Sequence, residues 1–157
     1  MALDELIAVV AKLRDPESGC PWDLKQTHAS LAPYALEEAH ELADAIEHGD
    51  NNALMDELGD LLLQVVLHAQ IAKERGAFDL GQVIETISAK MQRRHPHVFN
   101  PEGPTRSWEE IKAEERAARG ETNGGLSAQL QRKVRGQPAM AAAMLISKKA
   151  AAAGFEW

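Results

Sequence analysis

The sequence predicts an all-α protein, built like a four-helix bundle, and three observations carry that reading. Ala, Leu, Glu and Lys dominate, and Val/Ile runs of strand type are few. Apolar residues recur at helical spacing in successive segments separated by Pro- and Gly-rich stretches. Hydrophobic residues make up 45% of the 157 residues and aromatics 4%, so the core is aliphatic.

The first helix runs from Leu3 to about Arg14, with Leu3, Leu6, Ile7, Val10 and Leu13 on one stripe. Asp15 to Asp23 holds Pro16, Gly19 and Pro21 and reads as a loop. Pro33 suits the first turn of a second helix that reaches about Glu47. Gly49 to Asn52 is a tight turn in which Asp50 or Asn51 caps the third helix, about Asn52 to Gly76. There Leu61, Leu62, Leu63, Val65, Val66 and Leu67 cover every side, the pattern of a buried helix. A fourth helix, from Leu80 to about Arg94, ends before Pro96. His97 to Arg106 reads as a loop, and Ser107 caps a short polar helix from Trp108 to about Arg119. Residues 1–119 form the main domain, 120–138 a linker or mobile segment rich in Gly, Asn, Gln and Ser, and 139–157 an Ala-rich C-terminal helix. A long apolar third helix leaves a hydrophobic face that one short bundle does not cover. This predicts an obligate homodimer with the second and third helices paired across a four-helix core.

The formal net charge is −7, from 24 acidic and 17 basic residues, which argues against a nucleic-acid partner. A small phosphate-bearing ligand stays compatible, because a metal can bridge carboxylates and phosphates. Cys20 is the one cysteine, so no intrachain disulfide forms, and a reducing, cytoplasmic setting is the simpler expectation. No stretch approaches the length of a membrane span, and the N-terminus has acids early and no basic leader.

The second helix carries Glu37, Glu38 and Glu41, and the third carries Asp56, Glu57 and Asp60. Glu38 with Glu41, and Glu57 with Asp60, are three apart and share a helix face. A short turn makes the helices antiparallel neighbours, so the four carboxylates can converge. Such a group is tolerated if a divalent cation neutralises it or if it faces water. A solvated acidic face is the competing reading; the apolar neighbours Leu58, Leu61 and Leu62 favour a cleft. Hard oxygen ligands suit magnesium, with manganese as a substitute. Glu37-x-x-His40 matches half of a di-iron signature, but the third and fourth helices supply no second Glu-x-x-His.

Four runs in order, Cys20 to His28, Leu36 to Leu42, Asp56 to Val65 and Arg93 to Phe99, resemble the MazG family. The resemblance runs from about residue 3 to 119, and more weakly beyond. It implies an all-α nucleoside triphosphate pyrophosphohydrolase fold, magnesium dependence, a dimer with active sites near the interface, and a house-cleaning role on the nucleotide pool. Glu38, Glu41, Glu57 and Asp60 match the family's paired acidic motif and would be its metal-binding and catalytic residues. A water attacking the α-phosphorus is implied, with Glu37 or Glu41 to orient or deprotonate it. Lys90 and Arg94, four apart, resemble the family's phosphate-binding pair; an ordinary basic helix end is the alternative. Trp108 and Lys112 resemble positions that reach the nucleotide, and Trp22 and Asp23 are candidates to border the base. Trp22 pinning its loop to the core is the alternative there. His95 and His97 read as structural, His40 and His68 as interior residues near the acids, and Cys20 receives no nucleophilic role. Gly154 to Trp157 resembles the start of a second domain, so the chain reads as an N-terminal domain or a short form. A catalytically weak nucleotide-binding and dimerisation domain is the alternative function.

Overall fold

A computed structural model describes residues 2–103, 107–118, 120 and 126–155, and among them every regular element is helical. The helices are α1 Ala2–Leu13, α2 Pro21–Leu24, α3 His28–His48, α4 Asn51–Glu74, α5 Leu80–Arg94, α6 Pro96–Phe99, α7 Trp108–Ala118, α8 Leu126–Val134 and α9 Ala139–Ala152. None of these is long and apolar enough to cross a membrane. The chain divides into two compact units, Met1–Gln92 and Arg93–Trp157, with the division in the last turn of α5.

In the first unit, α3 begins at His28 rather than at Pro33. Thr27 is its N-cap: Ser30 N donates to Thr27 Oγ1 at 3.1 Å, and Thr27 N donates to Ser30 Oγ at 2.9 Å. This reciprocal box starts the helix earlier, and Pro33 is accommodated inside it, removing one backbone donor. Gly49 ends α3 with φ 73°, a left-handed conformation that glycine adopts without steric cost. Asp50 then caps α4, its Oδ1 accepting from Asn52 N at 2.8 Å. A two-residue connection therefore folds α4 back along α3, and these two helices form the closest pairing in the chain.

The core is Val10, Leu31, Val66, Leu67, Ala69, Ile71 and Leu80, with Leu6, Ile7, Leu63 and Val83 packed against it. Only one side of α4 is covered in this way. Met55 is 66% exposed and Leu58 51%, and Leu62 and Val65 are exposed as well, so the expectation of an all-round buried helix is not met within one chain.

The loops predicted at 15–23 and 97–106 contain the short helices α2 and α6, in each of which a proline occupies the first turn. The stretch 120–138 contains α8, which packs against α9. Arg14 at the end of α1 is buried. It holds Glu74 of α4 through Nε at 2.9 Å and Nη2 at 2.7 Å, and it donates to the backbone carbonyl of Asp23. One guanidinium thus ties α1, the α2 segment and the end of α4 together. Pairing with Arg14 holds the Glu74 carboxyl below its usual range.

Leu31 is fully buried and Thr27 is a solvent-facing cap. Leu31→Ala is expected to destabilise by about 2–5 kcal/mol and Thr27→Ala by about 1 kcal/mol, read from urea unfolding midpoints.

Candidate metal centre

Antiparallel pairing of α3 with α4 brings three of the four expected carboxylates to one point. Glu38, Glu41 and Glu57 each present a ligand atom, and these atoms lie within 4.8 Å of one another. Glu38 and Glu57 are half-buried and Glu41 is exposed. Asp60 stands outside that group of three, yet its charge acts on both Glu38 and Glu57. Partial burial, then the charges of Asp60, Glu41, Glu57 and Glu37, push the Glu38 carboxyl above its usual value. Burial, then the charges of Glu41, Asp60 and Asp56, do the same to Glu57. Oε2 of Glu57 is shielded from solvent and has no hydrogen-bond partner among the described residues. Crowded hard-oxygen donors with one orphaned acceptor fit a small divalent cation.

His40 lines the depression beside this group, with Glu41, Asp44, His48, Asp50, Ala53 and Glu57. His68 lies further along the seam and is engaged by His28, Nδ1 to Nδ1 at 2.8 Å with the rings 2° from coplanar. Burial and the neighbouring His28 hold the His68 imidazole below its usual pKa.

Lys90 is half-buried and lines a shallow depression with Phe78, Gln82, Val83, Thr86 and Ile87. Trp22 is 49% exposed and packs edge-on against Tyr34 at 5.8 Å, so it is anchored to α3 while keeping an open face. Asp23 is buried, and its backbone carbonyl is held by Arg14.

The second unit gathers the remaining residues. Arg94 lies over the Trp108 ring at 5.1 Å, and Lys112 Nζ is 5.7 Å from the same ring. Lys112 also pairs with Glu109 at 3.2 Å. The His95 and His97 rings are 5.9 Å apart, and His95 is 6.0 Å from Trp108. Glu115, with a side chain only 7% exposed, receives Arg93 Nη2 at 2.6 Å and Arg94 Nη2 at 2.7 Å. The hydrogen bond from Arg94, reinforced by Arg93, pulls its pKa from 4.5 down to about 2. Arg94 is therefore both stacked and paired.

The model of the MazG nucleotide pyrophosphohydrolase domain matches residues 26–99. The nucleoside triphosphate pyrophosphohydrolase of Escherichia coli K12 is 45% identical over 99% of this chain and 59% of its own length. The nucleoside triphosphate pyrophosphohydrolase/pyrophosphatase MazG of Thermotoga maritima is 46% identical over 98% of this chain and 58% of its own. Residues 26–99 form a MazG domain. The crystal structure of a MazG-related protein from Thermotoga maritima superposes with a TM-score of 0.55 and 28% identity, over 73% of this chain and 98% of that one. The chain spans about three fifths of the length of the relatives above. The matched MazG region holds α3, α4 and α5 with the whole acidic group, and it stops before Trp108 and Lys112.

Two residues that shape this chain, Arg14 and Glu115, are signalled in the sequence only by their place on an apolar stripe. Arg14 follows Val10 by four, and Glu115 follows Ile111 by four, so each continues an apolar stripe with a charge. A charge on a buried face demands a partner, and that rule would have flagged both. The partners Glu74, Arg93 and Arg94 come from other helices and are set by packing.

Because the Glu115 pKa is lower folded than unfolded, its contribution is present above pH 4.5 and is lost as pH falls toward about 2. Glu115→Gln is expected to lower stability at neutral pH and to flatten the acid limb in that window, measured as unfolding midpoint against pH.

Proposed function

We propose that this chain hydrolyses nucleoside triphosphates to the monophosphate and pyrophosphate, using magnesium or manganese held by Glu38, Glu41, Glu57 and Asp60. The observation that carries the reading is the convergence of three carboxylates within 4.8 Å around an unpartnered Glu57 oxygen. When bound, the ion supplies Lewis acidity and offsets the charge of the acids and phosphates. Asp60, whose charge acts on two of the three, is the fourth acid of the group. Glu41, exposed at the edge of the group, is placed to orient the attacking water and hold its proton, with Glu37 as its neighbour on α3. By the family resemblance, Lys90 and Arg94 are the candidates to meet the phosphates, and Trp22, Trp108 and Lys112 the candidates to meet the nucleoside. Asp23 acts through position, since its buried segment is pinned by Arg14 and carries Trp22. The relatives' printed names, nucleoside triphosphate pyrophosphohydrolase, support this chemistry. Removal of unwanted nucleotides in the cytoplasm is the role that fits it.

A second reading, a nucleotide-binding and dimerisation module with little turnover, draws on the chain spanning 59% of its E. coli relative. Incubation with mixed triphosphates and magnesium separates the two: binding without monophosphate selects the module.

Glu41→Gln and Asp60→Asn are each expected to slow pyrophosphate release roughly hundredfold or more. Magnesium is expected to raise the melting temperature of the parent chain, and Glu57→Gln to abolish that rise, because a ligand that binds only the folded state stabilises it. Pyrophosphate release at the parent rate in both activity variants would sink the assignment.

The exposed apolar residues Met55, Leu58, Leu62 and Val65 on α4, with Leu36 and Ile46 on α3, suit an interface between two copies of this chain. Sedimentation is expected to give twice the chain mass, and Leu58→Asp to reduce it to one chain.

A further inference from the structure

Two side-chain oxygens on α4 are shielded from solvent and have no hydrogen-bond partner among the described residues: Oε2 of Glu57 and Oε1 of Gln64. A cation at the acidic group accounts for the first. It leaves the second unexplained. Gln64 is 7% exposed, and its amide oxygen is removed from water without a compensating hydrogen bond.

The helix geometry fixes where Gln64 faces. Seven residues after Glu57, it returns to within about 20° of the same face, and it lies about 6 Å along the axis from Asp60. Contacts with α3 bracket it: Glu57 meets Glu38 and Glu41 on one side, and His68 meets His28 on the other. Gln64 therefore points into the α3–α4 seam, on the same line as the acids. The facing stretch, Ala29 to Leu36, carries side-chain hydroxyls only at Ser30 and Tyr34. Ser30 already donates to Gln26 Oε1 at 2.7 Å, and Tyr34 is an exposed residue packed on Trp22.

An amide oxygen accepts hydrogen bonds and does not donate them. It therefore offers nothing to a phosphate, which at neutral pH is also chiefly an acceptor. With the cation assigned to the acids, it requires an O–H or N–H. In a nucleotide held by its phosphates at the acidic group, the donors nearest the α-phosphate are the sugar hydroxyls, separated from it by one ester oxygen and the first sugar carbons. We propose that Gln64 Oε1 accepts a hydrogen bond from a sugar hydroxyl of the bound nucleotide, and so makes the site selective for sugars that carry it. This rests on the function proposed above and adds a specificity residue to it. The rotatable stem of the glutamine lets its amide turn from the seam toward the ligand.

The test is equilibrium binding, by calorimetry with magnesium, of an α,β-methylene ribonucleoside triphosphate and its 2′,3′-dideoxy counterpart with the same base. The parent chain is expected to bind the dideoxy form about tenfold more weakly or worse, because a buried acceptor is then left unpaired. Gln64→Met is expected to bind both forms alike, and Gln64→Glu, which keeps an acceptor oxygen, to retain the preference. Equal binding of both forms by the parent chain overturns the proposal even if no variant folds. An unchanged preference in Gln64→Met overturns it too. So does a preference that follows removal of a base amino group with the sugar held constant. Failure of the parent chain to bind either nucleotide overturns the proposed function itself, which separates that failure from a lost sugar preference.

Discussion

The turn at Gly49 and Asp50 sets the register of α3 against α4, and most of the structure's chemistry descends from that register. It brings Glu57 opposite Glu38 and Glu41, and His68 opposite His28. Neither contact would select this alignment, because carboxylates repel and two imidazoles share a hydrogen bond only when one proton lies between them. The alignment is held by Leu31, Ala45, Val66 and Leu67, which leave water along the same seam. Apolar burial thus carries a polar arrangement that opposes it. The raised Glu38 and Glu57 pKa values record that opposition: the folded state takes up protons more readily than the unfolded one, so these two groups weaken the fold as pH rises through their range. A divalent cation bound there, as proposed above, would offset the same repulsion without a change of pH and so couple occupancy of the acidic group to stability.

The second consequence concerns the far side of α4. A helix apolar on every side needs cover on every side, and the rest of the first unit supplies it on the side of Val66, Leu67, Ala69, Ile71 and Ala72. Met55, Leu58, Leu62 and Val65 stay outside. They lie on the same helix as Glu57 and Asp60 and interleave with them in sequence. At ~100° per residue they project from the side of the helix opposite those acids, so a partner packed there would meet α4 from behind the acidic group.

Long periodic helices and the paired acids were legible in the sequence because both depend on spacing alone. The start of α3 was not, since Pro33 satisfies a general preference for first-turn proline while the Thr27–Ser30 box satisfies a stronger, local pairing of donors and acceptors. Short helices α2 and α6 hide among turn residues, and a proline reads equally as a breaker or as a helix's first turn. Spacing puts Gln64 on the face of Glu57 and His68, but its lack of a partner depends on what α3 places opposite, which spacing does not encode. Arg14 with Glu74, 60 positions apart, is likewise a product of packing.

The two acidic sites show why residue identity alone does not assign a role. Glu57 sits among like charges and its pKa rises; Glu115 sits between two guanidinium groups and its pKa falls to about 2. The first has no cation of the chain beside it to offset its charge, while the second has its cations already. That bears on Arg94: if it takes a phosphate, as proposed above, it must first loosen its grip on Glu115. Arg93 makes this feasible, because its Nε at 2.9 Å and Nη2 at 2.6 Å both reach Glu115 Oε1 and leave that carboxylate compensated when Arg94 departs. With Glu115 still paired, moving Arg94 exchanges one charge-assisted contact for another rather than stranding a buried charge. Two arginines on one carboxylate thus leave one of them available, and the one stacked on Trp108 is Arg94.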